Sequence, residues 1–207
     1  MAGDLFVTGT DTNVGKTVLS ALLVAALDGA YWKPIQTGAT EGTDRQQVMR
    51  WANLPASRAL AECYCFDPPV SPHLAAEMSG ATIELERIRR PAATRLVIEG
   101  AGGVMAPIND SQTMLDVMLH LGAPAVVASR TTLGTINHTV MTVRALRGAG
   151  VGVKGVVMIG DENRDNERAI ERHGDVPIVG RIPMLACICH RNLVDVFEAE
   201  FDRAVFA

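Results

Sequence analysis

Residues 9–17 read Gly-Thr-Asp-Thr-Asn-Val-Gly-Lys-Thr. The chain enters this segment from a short apolar run, Leu5-Phe6-Val7, and leaves it into a helix-length apolar stretch. Such a passage turns successive backbone N–H groups and a helix start toward one point, which suits an anion. Thr12, Asn13, Val14 and Gly15 form the cradle. Lys16 is placed to meet β- and γ-phosphates, and Thr17 to offer its hydroxyl to magnesium. The chemistry expected of this segment is binding of a nucleoside triphosphate with Mg2+. Five residues separate Gly9 from Gly15 where the usual loop has four, so Thr10 stands where the first glycine would be.

Lysine usage points to a second reactive group. Of nineteen basic residues only three are lysine, Lys16, Lys33 and Lys154, and the first two fall after predicted strands at the ligand edge, Lys16 in the loop that follows the first and Lys33 at the end of the second. A compact ammonium on a flexible stem can follow a phosphate that moves during reaction, which a rigid guanidinium fork cannot. Lys33 therefore reads as catalytic, the alternative being a solvated strand end. Leu96-Val97-Ile98-Glu99 followed by Gly100-Ala101-Gly102-Gly103 sets a carboxylate at a strand tip with open backbone beyond it. Glu99 is a candidate magnesium ligand. Asp44 is the other, unless it only caps the helix that starts there.

These residues need a scaffold that brings strand ends together. Short apolar runs at Leu5–Thr8, Ala30–Lys33, Arg95–Glu99, Ala123–Ser129, Val153–Ile159 and Pro177–Gly180 read as buried parallel strands. Helical periodicity fills 16–28, 44–53, 113–121, 135–149, 163–173 and 192–205. The alternation predicts an α/β fold, a doubly wound, mostly parallel sheet flanked by helices, in one domain over 1–207. In such sheets ligands lie beyond the carboxyl ends of the strands. The stretch Asp67-Pro68-Pro69-Val70-Ser71-Pro72 reads as an irregular loop.

Composition narrows the partners. A net charge of −4 with no Lys/Arg run argues against nucleic acid and for small molecules. No apolar run approaches the ~18–20 residues that span a bilayer. The first strand begins too early to leave room for a signal peptide, so a cytoplasmic address is expected. Two Cys-x-Cys pairs, Cys63/Cys65 and Cys187/Cys189, lack the spacing of structural zinc knuckles. They read as small buried hydrophobes.

Five motifs in order resemble the dethiobiotin synthetase family: the loop at 9–17, Lys33-Pro34-x-x-Thr37-Gly38, Ser71-Pro72-His73, Glu99-Gly100-Ala101-Gly102-Gly103, and Leu133-Gly134-Thr135-Ile136-Asn137-His138-Thr139. The resemblance covers most of the chain and implies a P-loop NTPase fold. It also implies an ATP-dependent closure of 7,8-diaminononanoate with carbon dioxide into a cyclic urea. By the same resemblance Lys33, Lys16 and Thr37 act on the reacting carbamate and phosphate, and Thr17, Asp44 and Glu99 surround magnesium. Thr12, Pro72 and Gly103 line the diamine site. The family works as a homodimer, in which backbone N–H groups of Thr135, Ile136 and Asn137 reach the substrate carboxylate of the neighbour. Without the family pattern, those residues read as an ordinary helix start. His73 and His138 sit beside backbone that needs partners and are left out of the catalytic set.

The nucleotide side departs from the pattern. Where family members commonly present an asparagine to adenine, this chain has Gly160; Ile182 and Pro183 still match the nucleotide-flanking loop, but Ala186-Cys187-Ile188-Cys189 lacks the usual acidic residue. ATP or another nucleoside triphosphate is therefore the expected co-substrate. Two rivals share the loop. An amidase-type synthetase of corrinoid assembly would add a glutaminase domain that 207 residues cannot hold. A partition-type ATPase switch would carry a lysine early in the loop, where Thr10, Asp11 and Thr12 stand.

Overall fold

A computed structural model describes residues 3–206. Met1 and Ala2, included in the one-domain and signal-peptide expectations, and Ala207 lie outside the described residues. Seven parallel strands form the main sheet: β1 (Leu5–Gly9), β2 (Ala30–Trp32), β4 (Ala59–Leu60), β6 (Leu96–Glu99), β7 (Ala125–Arg130), β8 (Val153–Ile159) and β9 (Ile178–Ile182), in the order β4-β2-β6-β1-β7-β8-β9. β1 lies at the centre. The chain builds one side of it through β6 and then crosses to the other through β7, so the carboxyl ends of β2, β6 and β1 stand side by side. That juxtaposition is what a ligand site in this architecture requires.

Strand residues alternate between two cores. Phe6, Ile98, Val127 and Met158 face one; Leu5, Val7, Val97, Val126 and Val157 face the other. The second core receives α1 (Lys16–Leu27), α2 (Asp44–Trp51) and α7 (His190–Glu200). The first receives α3 (Pro72–Met78), α4 (Met114–Leu121), α5 (Thr135–Gly148) and α6 (Arg164–Gly174). Helix α1 is apolar nearly all round because the sheet covers one side while α2 and α7 pack on others.

The six expected strands and six expected helices are present with ends shifted by a few residues. Two expectations are corrected and one alternative is set aside. Pro72 does not belong to an irregular loop: it opens α3, as a residue with fixed φ and no N–H can at a first helical turn. Asp44 does not cap α2; Thr43 does, in a capping box with Gln46, which leaves the Asp44 carboxylate free to face Lys33. The cysteines are not buried: Cys63, Cys65 and Cys187 are exposed and Cys189 is half-buried, since each lies in a loop or on a two-residue strand at the surface. Cys65 belongs to β5 (Tyr64–Cys65), which pairs with β3 (Ile35–Gln36) in a small second sheet. That pairing fixes the backbone just beyond Lys33. Among the described residues no helix is long and apolar enough to cross a membrane.

Asp4 ties β1 to β6. Its carboxylate accepts two bonds from the Arg90 guanidinium, at 2.6 and 3.0 Å, and one from the Leu96 N–H at 3.0 Å. Burial alone would raise its pKa, but the Arg90 and Leu96 bonds outweigh that and hold it below its ordinary value. Asp4→Ala is expected to cost about 3 kcal/mol, as removal of one partner of a buried ion pair does. A carboxylate with a depressed pKa stabilises the fold above its unfolded value and loses that contribution as pH falls through the folded one. The gap between wild type and variant in urea denaturation should therefore close toward acid.

Candidate active site

The loop between β1 and α1 ends on Gly15, which has φ 104°, a left-handed conformation that favours glycine, and whose side-chain position is already filled by Ile159. Helix α1 starts there without a side-chain cap, so its first N–H groups remain available to an anion. Lys16, buried, folds back and donates to the Asp11 carbonyl at 2.9 Å, across the mouth of the cradle. Arg130 at the end of β7 donates to the Thr12 carbonyl at 3.0 Å and steadies the loop tip.

Beside the loop, three elements converge on one charged cluster. Glu99 at the tip of β6 is buried; its Oε1 accepts from Thr17 Oγ1 at 2.9 Å and lies 3.4 Å from Lys33 Nζ. Lys33, just past β2, also donates to Asp44 at the start of α2. Burial pulls the Lys33 ammonium toward neutrality, but Glu99 and Asp44 overcome it and keep its pKa above the ordinary value. Lys16 lacks a carboxylate in contact: burial lowers its pKa to about 8, against opposition from Glu99 and with help from Lys33. Gln36 braces the cluster, accepting from the Asp44 N–H and donating to the Thr37 carbonyl.

A cavity of about 1240 Å³ opens over this cluster. Thr12, Asn13, Gly15, Lys16, Thr17, Lys33, Thr37, Asp44, Pro72, Glu99 and Gly103 all line it. Ten residues from four of the motifs, together with Asp44, thus meet in one space. Val14 is packed beneath, its methyl against Gly9. Thr135, Ile136 and Asn137 do not line the cavity; His138, Met141 and Thr142 on the following turns do. The Thr135 N–H is engaged by the Thr132 carbonyl at 3.2 Å, and its hydroxyl joins those of Ser129 and Thr139 in a buried cluster that ties α5 to β7. Helix α5 has no side-chain cap, so Ile136 and Asn137 are the residues there whose N–H groups can meet an external anion. His73 bonds Ser71 through its ring and Pro107 through its N–H, a local structural pattern.

At the nucleoside end Gly160, Ile182 and Pro183 are absent from the lining, and Ile188 is present. The Gly160 N–H donates to the Ile182 carbonyl at 2.9 Å, φ at Gly160 is 128°, and a Cβ there would stand 2.7 Å from Thr131 Oγ1. The position accepts only glycine, for both space and backbone.

The oxygen donors fit magnesium. Two carboxylates and a hydroxyl are too few for an all-protein cage, and among the described residues no three His, Cys, Asp or Glu side chains gather where they could hold a metal ion. Magnesium is usually held in that way, by one or two carboxylates with water and substrate phosphates completing its shell.

Sequence reasoning missed Tyr31. It is wholly buried on β2 and donates to Glu99 Oε2 at 3.0 Å. The available signal was spacing: residues two apart on a strand face the same side, so Tyr31 shares a face with Lys33.

The sequence pattern of a family described as an AAA domain matches residues 3–189. The ATP-dependent dethiobiotin synthetase BioD of Rhodopseudomonas palustris strain HaA2 is 46% identical over 203 residues, covering 98% of this chain and 95% of the relative. That of Bradyrhizobium sp. strain BTAi1 is 46% identical over 209 residues and covers all of both chains. The chain belongs to the dethiobiotin synthetase family. Solved structures place this synthetase's fold in a wider group: a ParA family ATPase from Chlorobium tepidum TLS aligns with TM-score 0.55, 13% identity, and 96% and 93% of the two chains. A chain of the MinC:MinD cell division complex of Aquifex aeolicus aligns with TM-score 0.55 and 13% identity over 99% and 93%. At that identity the likeness is one of architecture, and it matches the parallel sheet described above.

Proposed function

We propose that residues 1–207 form one synthetase domain that uses ATP to close 7,8-diaminononanoate and carbon dioxide into the cyclic urea dethiobiotin. The observation that carries this reading is the buried Lys33 ammonium, held by Asp44 and Glu99 where the phosphate loop meets the remainder of the cavity. One substrate amine adds to carbon dioxide and loses a proton, giving a carbamate. A carbamate oxygen then attacks the γ-phosphorus and ADP departs, leaving a carbamic-phosphoric anhydride. The second amine attacks the anhydride carbon, phosphate leaves, and a proton is released as the ring closes. No protein nucleophile is needed. The chain's task is to align the reactants and to offset charge that spreads over phosphoryl oxygens.

Lys16 and the uncapped start of α1 hold the phosphates; Lys33 reaches the oxygen shared by carbamate and γ-phosphate. Thr37, Pro72, Gly103 and Thr12 surround the diamine. Thr17, Glu99 and Asp44 would hold magnesium, which neutralises phosphate oxygens when bound. A homodimer fits the exposed apolar side chains around α5, Leu133 and Met141, together with Met105. Such a contact would bring Ile136 and Asn137 N–H groups to a neighbour's substrate carboxylate. Sedimentation as a monomer at micromolar concentration would rule the dimer out.

The deciding assay supplies protein, magnesium, ATP, bicarbonate and the diamine and looks for dethiobiotin by mass. ATP hydrolysis indifferent to the diamine would defeat the reading. With glycine at 160, no side-chain amide reads the base from that position. Turnover with CTP, GTP and UTP is expected within about tenfold of ATP, the discrimination a single missing polar contact permits. A preference for ATP of several hundredfold would show that another group reads adenine.

A further inference from the structure

Glu99 presents its two carboxylate oxygens in opposite directions. Oε1 meets Thr17 Oγ1 at 2.9 Å and faces the phosphate loop; Oε2 accepts from the Tyr31 hydroxyl at 3.0 Å. Tyr31 pairs with Val97 in the β2–β6 register, so its ring runs diagonally along the sheet face to a residue two positions ahead on the neighbouring strand. Ring and hydroxyl are wholly buried, and the sheet fixes both. A glutamate at a strand tip has three side-chain torsions, the last of them soft. The phenol removes that freedom from the outside.

We infer that Tyr31 is a positioning residue for magnesium, clamping the Glu99 carboxylate so that Oε1 stays beside the Thr17 hydroxyl. The inference deepens the proposed function and rests on Thr17 and Glu99 as magnesium holders. Tyr31 does not line the cavity; it acts through Glu99. Groups that hydrogen-bond a metal-binding side chain from behind set its orientation, and losing one commonly weakens metal binding about tenfold or more. A purely space-filling role would need the ring and not the hydroxyl. In that case Phe would serve equally.

The test measures ADP affinity by calorimetry, first in excess chelator and then across magnesium concentrations, for the wild type, Tyr31→Phe, Glu99→Gln and the double variant. The magnesium midpoint in Tyr31→Phe is expected about tenfold above that of the wild type, with ADP affinity in chelator unchanged. In the Glu99→Gln background Tyr31→Phe should add nothing, because the two act as one unit. A midpoint in Tyr31→Phe within about twofold of wild type overturns the clamp and leaves the magnesium assignment standing. A wild type whose ADP affinity ignores magnesium overturns both. A second readout leaves the core unaltered, since the chain has two tyrosines, Tyr31 and Tyr64. In protein labelled with 3-fluorotyrosine, magnesium added to the ADP complex should move the fluorine resonance that persists in Tyr64→Phe. A resonance that stays in place overturns the inference.

Discussion

Lys33→Ala is expected to slow dethiobiotin formation about 10²–10³-fold, the usual consequence of deleting one preorganised group that faces developing charge. ADP should still bind, because the loop, the start of α1 and Lys16 are untouched. The split between lost turnover and retained binding distinguishes Lys33 from a solvated strand end, whose removal would alter neither. The variant also leaves the Glu99 carboxylate buried with one fewer cation beside it, so thermal unfolding should be followed in parallel. Lys33→Arg should not rescue activity: the pocket fits a small ammonium between Asp44 and Glu99, and a planar guanidinium imposes a different geometry. Unchanged dethiobiotin formation by Lys33→Ala would remove the residue from the mechanism.

Lys16→Ala should act one step earlier, weakening nucleotide binding itself by about a hundredfold, in line with the loss of a buried charged contact. Its pH dependence carries a distinct signature. The free protein holds the Lys16 pKa near 8, below its ordinary 10.5, because burial disfavours the ammonium. Phosphate favours it. Above pH 8, binding must return a proton to Lys16, so affinity should fall with rising pH and the bound complex should take up protons. Calorimetry of ADP binding at pH 8.5 in two buffers of different ionisation heat measures that uptake, which Lys16→Ala should abolish. Absence of uptake in the wild type would contradict the assignment. Stability runs the other way: between about 8 and 10.5 the unfolded chain binds more protons, so this residue's contribution rises with pH.

The architecture and the charged cluster were legible in the sequence because both obey local rules. Six apolar runs alternating with helical periodicity permit few topologies other than a doubly wound sheet, and a residue following directly on a buried strand must emerge at its ligand edge. Lys33 and Glu99 were found that way. What escaped depended on partners distant in sequence. The Thr43 cap could not be told from an Asp44 cap until the side chains were placed. Pro72 looked like loop because Pro-rich stretches usually are, although proline also begins helices. The Cys pairs were misjudged by residue-type averages, which say nothing about a two-residue strand at the surface. Thr135 and the adenine-side residues were assigned by pattern, and pattern does not reveal which N–H already has a carbonyl partner.

Gly160 constrains how this synthetase can change. An asparagine installed there would meet Thr131 Oγ1 and would have to adopt a φ of 128°, well outside the left-handed region that Asn tolerates. The single substitution is therefore a poor first step in any evolutionary or engineered path toward an amide that reads the base. Thr131 would have to shrink and the turn after β8 would have to be relaid before the amide could be accepted. The order of mutations matters, and a shorter route to base discrimination runs through the segment around Ile188, which already faces the cavity and whose neighbour Cys187 is exposed.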